Sequence, residues 1–344
     1  MSTDRVTGSS DRVTSSTDGV TGNRAPGLAD VARRAGVSPA TASRALSGAG
    51  PVSAAARREV LAAAGALGYR PHPVARSLAR RGGTRIVLAV RDARVDILAD
   101  PFVVRATAAI AAVADDLGLG VSLRRMPLDC RVALDDLAAD RGIAAVVLAG
   151  HDRTALAGLP RQMLGRVAAI GVGGAGVARA DVDSAGGIGA LVRHLYATGR
   201  RRIALVGGPR WLGAARAPHA AYAAVVHAAG LPVRAVPGDF TAGRGRAAAG
   251  AILHRWPDTD AVVAVSDFTA LGVLAGLARR GVRVPSDVAL TGFDDLPPAG
   301  DGRPGLSTAT HPVERIAAAA ARAALAGPVA DQIFASRPVL RETA

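Results

Sequence analysis

The chain contains no lysine: all 42 positions counted as Lys or Arg are arginine. This bias, with the abundance of alanine, reads as coding preference and carries no mechanism. A single cysteine, Cys130, excludes a disulfide framework and a cysteine-built zinc cluster, and fits a reducing cytoplasm. No apolar run reaches the ~20 residues a membrane-spanning helix needs. The longest stretch free of Asp, Glu and Arg, 217–233, contains Pro218, His219, His227 and Gly230. The N-terminus is polar, with Asp4 and Asp11 and no apolar run, so it does not read as a secretory signal. The seven histidines are scattered, without HxxxH or HExxH spacing, and no GxSxG elbow occurs. These absences predict no metal, no cofactor and no enzyme.

What is present bounds the fold. At about 100–200 residues per domain, 344 residues allow two or three domains and a sizeable core. Hydrophobic residues are 49% of the chain, which excludes global disorder, although much of that share is alanine and only 3% of the chain is aromatic. The formal charge of +14 is unevenly placed. Residues 24–85 hold 11 arginines against Asp30 and Glu59, whereas 86–344 hold 29 arginines against 23 acids. So basic a segment is an electrostatic footprint for a polyanion, the bland alternative being a solvated basic face.

Residues 1–26 read as a disordered tail: DRVTGSS, DRVTSST and DGVTG follow one another from Asp4, Asp11 and Asp18, with little apolar surface to offset ordering. Order is expected from Gly27, an N-cap with Asp30 in the first turn, followed by Leu28, Val31, Ala32 and Ala35 at helical spacing. Gly36 stops this helix. Ser38 and Pro39 start a second through Leu46, and Ser53 caps a third over 54–67, with Val60, Leu61, Ala64 and Leu67 on one face and Gly68 beyond its end. Three short helices with a tight glycine turn between the first two make a helix-turn-helix over 27–73. Pro71 and Pro73 before, and Gly82 and Gly83 after, confine 74–81 to about two helical turns, marginal on their own.

From Thr84 the pattern alternates. Strands are expected at 86–90, 121–124, 144–148, 167–172, 203–206, 261–265 and 288–291. Helices are expected at 103–117, 187–197, 220–229, 244–255, 269–280 and 313–325. The alternation predicts an α/β class with doubly wound parallel sheets in two lobes, with a ligand between them at the strand ends. Gly171, Gly173 and Gly176 form a GxGxxG, the mark of dinucleotide binding. No helix follows at once, and Asp181 and Asp183 come too soon, so it reads as a loop.

The hydroxyls of Ser38, Thr41 and Ser43 at a helix N-terminus suit phosphates, although capping alone also explains Ser38 and Thr41. Arg44, on the same helix, suits a guanine edge. Arg33, Arg34 and Arg58 read equally well as solvated charge. The segments LADVARRAGVSPATASRALSG (28–48) and VSAAARREVLAAAGALGYRPHPVARSLA (52–79) resemble the DNA-binding head of the LacI/GalR family of bacterial repressors. The resemblance resumes in HLYATGRRRIALVGG (194–208), VSDFTALGVLAGLARRGVRVPSDVALTGFDD (265–295) and PGLSTATHP (304–312), covering essentially everything after residue 26.

The resemblance implies a helix-turn-helix head, a hinge helix and a two-lobed periplasmic-binding-protein-like core. That core spans 84–344, with a first lobe at about 84–183 and 311–327 and a second at about 184–310 and 328–344. It implies DNA contacts from Ser38, Pro39, Ala40, Thr41, Ser43 and Arg44, with Ser53, Arg57 and Tyr69 on the backbone. Val74, Ala75 and Leu78 match the hinge, whose leucine wedges into the minor groove. Ala79 stands where many relatives have a basic residue, which turns attention to Arg80 and Arg81. Asp100, Phe102, Asp267, Asp294 and His311 are implied to line an effector cleft. The arginine many sugar-binding relatives place before the aromatic matched by Tyr222 falls on Pro218, leaving Arg216 as the substitute. Ser266 replaces a common Asn and His311 a common Gln.

The partners implied are a palindromic operator in double-stranded DNA, a sugar, nucleoside or related metabolite, and a second copy in a homodimer, with no membrane. No leucine-heptad tail follows Ala330, so a coiled-coil tetramer is not expected. A solute-binding protein of the same two-lobed fold stays open, as does a nicotinamide-dependent oxidoreductase resting on the GxGxxG alone.

Overall fold

The computed structural model describes residues 27–47, 51–69, 83–174, 176–327 and 329–344. The expected tail, 1–26, and all of the expected hinge and linker, 74–83, except Gly83 lie outside the described residues. The chain divides into two units, 1–80 and 81–344.

In the first unit α1 (Leu28–Arg34), α2 (Pro39–Ser47) and α3 (Ala54–Ala66) start where their caps stand. The Gly27 N–H donates to Asp30 at 2.9 Å, Ser38 Oγ accepts from the Thr41 N–H at 3.1 Å, and Ser53 Oγ accepts from the Ala56 N–H at 3.2 Å. Gly36 and Gly68 end α1 and α3 at φ +64° and +62°, a left-handed conformation glycine adopts without strain. Val31, Ala32, Ala42, Ala45, Val60 and Ala63 are buried together. Leu61, expected on the apolar face of α3, is instead 51% exposed. One residue turns a helix by about 100°, so the face running through Val60, Ala64 and Leu67 leaves Leu61 outside.

The second unit holds two parallel sheets. The first joins β1 (Arg85–Arg91), β2 (Gly120–Met126), β3 (Ile143–Ala149), β4 (Val167–Ile170), β5 (Ala178–Val182) and β11 (Gln332–Phe334) in the order β2-β1-β3-β4-β5-β11. The second joins β6 (Ile203–Val206), β7 (Arg234–Val236), β8 (Ala261–Ala264) and β9 (Ala289–Thr291) in the order β7-β6-β8-β9. Near-continuous apolar runs such as RIVLAVR suit strands covered on both faces. Helices α4 (Pro101–Asp115) and α12 (Val313–Ala326) pack together on the first sheet, with α5 (Arg131–Ala139) and α6 (Arg153–Ala157) elsewhere in that lobe. The second lobe carries α7 (Ser184–Ala197), α8 (Arg216–Ala228), α9 (Ala242–Arg255), α10 (Asp267–Ala278) and α11 (Pro297–Asp301).

The strand expected at 167–172 stops at Ile170; Gly171 to Gly174 are in no helix, and Gly174 and Val177 bridge antiparallel just before β5, in keeping with the loop reading of GxGxxG. Strands β5, β7 and β11 and helices α5, α6 and α11 were not expected; they are short or interrupted by charge. One lobe boundary also moves. The segment 328–344 was expected wholly in the second lobe, but β11 pairs with β5 in the first sheet. The chain then returns, and β12 (Pro338–Val339) pairs antiparallel with β10 (Thr308–Ala309). Three segments therefore cross between the lobes side by side. The Asp183 N–H donates to the Phe334 carbonyl at 2.8 Å, and the Thr310 N–H to the Arg337 carbonyl at 2.9 Å. No helix among the described residues is long and apolar enough to cross a membrane.

Candidate ligand cleft and nucleic-acid interface

Both sheets reverse strand order beside their first strand, between β1 and β3 and between β6 and β8, the points where open α/β sheets bind ligands. A cavity of about 220 Å³ lies there between the lobes. Four of the five phenylalanines, Phe102, Phe240, Phe268 and Phe293, line it together with Trp211. In a chain so poor in aromatics, this concentration marks the site.

The polar wall is built by helix starts and loops. Asp100 caps α4, accepting from the Phe102 N–H at 3.0 Å, and its other oxygen meets Arg94 at 3.1 Å. The cavity's guanidiniums are neutralised in place: Arg91 pairs with Asp152 at 3.1 Å and Arg105 with Glu314 at 2.6 Å. Hydrogen bonding from Arg105 holds the Glu314 carboxyl below its ordinary value. Asp294 accepts from His311 Nδ1 at 2.9 Å, and the imidazole stacks on Phe102 with ring centroids 5.8 Å apart. Among the described residues the non-glycine positions at positive φ are Phe240 (68°), Asp294 (122°) and Asp295 (53°). Two of these line the cavity, and such backbone costs on the order of 1–3 kcal/mol each, a strain that clusters at functional sites.

Of the residues expected to line the cleft, Asp100, Phe102, Asp294 and His311 do so. Asp267 does not. It is fully buried, with Oδ1 accepting from the Thr308 hydroxyl at 2.6 Å and Oδ2 from the Leu296 N–H at 2.8 Å. It fastens the loop that carries Asp294, and burial, with Asp294 and Asp295 nearby, pushes its carboxyl up to about 7. The close approach of this carboxylate leaves no room for a side chain at Gly292. Arg216 does not reach the aromatic cavity either. It lines a second, outer basin, while Pro218 lines the inner one. Tyr222 is buried, its hydroxyl donating to the Ile203 carbonyl at 2.8 Å and accepting from the Arg234 N–H at 3.0 Å, so it is part of the core. Sequence reasoning missed Asp181, Arg91 and Arg94 on the first lobe and the aromatics beyond Phe102, whose signal was their rarity.

On the head, Ser38, Pro39, Ala40 and Arg44 are exposed and Thr41 and Ser43 half-buried, while Ala42 and Ala45 face the core. Arg44 Nε donates to the Ala40 carbonyl at 3.2 Å along the helix. Helix α2 thus presents one face of hydroxyls and a guanidinium to solvent. Ser53 and Arg57 are exposed at the start of α3, and Tyr69 packs at the edge of the head's core. Val74, Ala75 and Leu78, together with Arg80 and Arg81, lie outside the described residues.

Residues 27–72 match the family model described as bacterial regulatory proteins, lacI family, and 192–343 match the periplasmic binding protein-like domain. The transcriptional regulator CelR of Thermobifida fusca is 33% identical over 302 residues, covering 85% of this chain and 88% of the relative. The chain belongs to the LacI family. It is a helix-turn-helix transcriptional regulator. Among solved structures, a CelR–cellobiose complex superposes with a TM-score of 0.67 at 28% identity over 93% of this chain and all of the other. A lac repressor dimer bound to operator and the anti-inducer ONPF gives a TM-score of 0.73 at 25% identity over 93% and 99% of the two chains. Within this LacI-family chain, Asp294, His311 and the stacked Phe102 stand in the inner cavity and Arg216 in the outer basin, whereas Asp267 and Tyr222 are buried in internal hydrogen bonds.

Proposed function

We propose that this regulator represses transcription from a palindromic operator as a homodimer, and that a small molecule in the inter-lobe cleft controls it. In this reading Ser38, Pro39, Ala40, Thr41, Ser43 and Arg44 enter the major groove, where Arg44 pairs with guanine, while Ser53, Arg57 and Tyr69 hold the backbone. The hinge over 74–83 places Val74, Ala75 and Leu78 in the minor groove. One head reads a half-site, and two heads read the palindrome. The protein works in the cytoplasm and catalyses no reaction.

The observation that carries the ligand-controlled part is the aromatic cavity between two lobes joined by three side-by-side crossings. Rings on several walls and a fixed Asp294–His311 pair suit a molecule with an apolar face and hydroxyl edges. A ligand that prefers one lobe arrangement shifts the population toward it, and so alters the spacing of the two hinges in the dimer. The test is a metabolite screen on operator-bound protein by fluorescence anisotropy. A hit that changes operator affinity is expected to lose its effect in Asp294→Ala. An unchanged response in that variant refutes the placement of the ligand.

A further inference from the structure

Outward from the aromatic cavity the cleft widens into a basin of about 1170 Å³. Asp181, Ser184, Trp211 and Ala214 line both spaces, so the two are continuous. The basin's basic residues are Arg153 and Arg179 on the first lobe and Arg210 and Arg216 on the second. Among the described residues none of these four guanidiniums forms an ion pair or a side-chain hydrogen bond, and Arg179 Nε is buried without a partner. This sets them apart from Arg91, Arg94 and Arg105 in the inner cavity, each of which meets a carboxylate.

The basin's four acids are each held by a hydrogen bond from within the chain, and Asp181 lies within electrostatic reach of Arg179. Asp152 binds Arg91 at 3.1 Å and accepts from the Ala155 N–H at 2.8 Å. Asp183 accepts from the Gly186 N–H at 2.8 Å, and Asp331 from the backbone N–H of Arg179 at 2.9 Å. Asp181 accepts from the Val182 N–H at 2.8 Å in a setting where burial pushes its carboxyl upward. Helix α8, with 13 residues, begins at the basin beside Gly213 and Ala214 and has no side-chain cap.

We infer that the basin seats the anionic group, a phosphate or a carboxylate, of a small metabolite whose remainder lies against the aromatic wall of the inner cavity. The inference rests on the reading of the cleft as the effector site and names the ligand's charge. Arginine presents fixed donor forks that match both anions, and here the first lobe offers Arg153 and Arg179 and the second Arg210 and Arg216 to the same basin. A neutral sugar offers these guanidiniums hydroxyl acceptors but no opposite charge.

The test is calorimetric titration of the full chain with inorganic phosphate and, separately, with citrate, at constant ionic strength set with chloride. Saturable binding of at least one is expected, and the arm that binds tells phosphate from carboxylate recognition. Arg179→Gln/Arg216→Gln is expected to weaken that binding by about tenfold or more. Because Arg179 is partly packed, the exposed pair Arg153→Gln/Arg210→Gln provides a second, fold-neutral variant with the same expected direction. Arg283→Gln, remote on the surface, is expected to change nothing. Absence of saturable binding of either anion overturns the inference, as does binding unchanged in both double variants. DNA affinity is measured on the same preparations. Protein that binds operator but neither anion refutes only this inference; protein that binds an anion but no operator refutes only the regulatory reading.

Discussion

The head and the core use arginine differently. In the core Arg91, Arg94, Arg105, Arg234 and Arg341 each meet a carboxylate at 2.6–3.1 Å, and most of these pairs fasten loops around the cleft. In the basic segment 24–85, 11 arginines share two acids; Arg33 pairs with Asp30 at 3.2 Å, Arg85 belongs to β1 and pairs with Asp140, and the head's described core is built from Val31, Val60 and small alanines. Charge around the cleft is therefore largely architectural, whereas the head carries a basic excess that suits an external polyanion. The contrast predicts that charge changes in the core move stability and that charge changes on the head move DNA affinity.

The largest expected effect concerns Asp267. Its carboxyl, near 7 in the folded chain, lies above the ordinary 3.8, so the native state holds a proton that the unfolded state releases. The sign follows: the stability this group allows is full below about pH 4 and is lost as pH rises toward 7, an effect on the order of a few kcal/mol. Asp267→Asn, neutral throughout, should flatten that fall relative to the parent when denaturant unfolding is compared at pH 5 and pH 8. Equal slopes in the two proteins would remove Asp267 from the account. Operator affinity, measured under conditions where both are folded, should be unaffected.

Arg44→Ala tests the other side. Loss of a bidentate guanine contact should cost about 1–3 kcal/mol of operator binding and relax specificity at one base pair. The midpoint of thermal unfolding should stay within a degree or two, because the side chain is exposed. A loss of stability in place of affinity would blur the distinction between head and core. The smallest effect is expected from Ser53→Ala, which removes the Ala56 cap and should cost about 1 kcal/mol of head stability. Chemical denaturation monitored on the head measures it, and no change would mean that backbone contacts alone start α3.

The head was legible almost residue by residue because caps and glycines are local devices: Gly27, Ser38, Ser53, Gly36 and Gly68 all act where the sequence placed them. The alternating core was legible as a class, since buried parallel strands announce themselves by apolar runs. Short β5, β7 and β11 do not, because pairing from neighbours, not their own pattern, makes them strands. The cleft was half legible. Asp100, Phe102, Asp294 and His311 meet there, but a carboxylate beside a strand end serves equally well as ligand contact or loop fastener. Only the fold shows that Asp267 binds Thr308 and Leu296. The aromatic wall draws on residues from 102 to 293, a convergence no local window contains.

The most direct test of the central claim, a ligand-controlled reader of a specific operator, is binding of the full chain to DNA selected from a random pool. Affinity is compared with that for a random duplex of equal length over a salt series. The account predicts a palindromic selected site bound about a thousandfold or more tighter than random duplex at physiological salt, with affinity falling steeply as salt rises. Equal affinity for selected and random duplex at every salt concentration would contradict it.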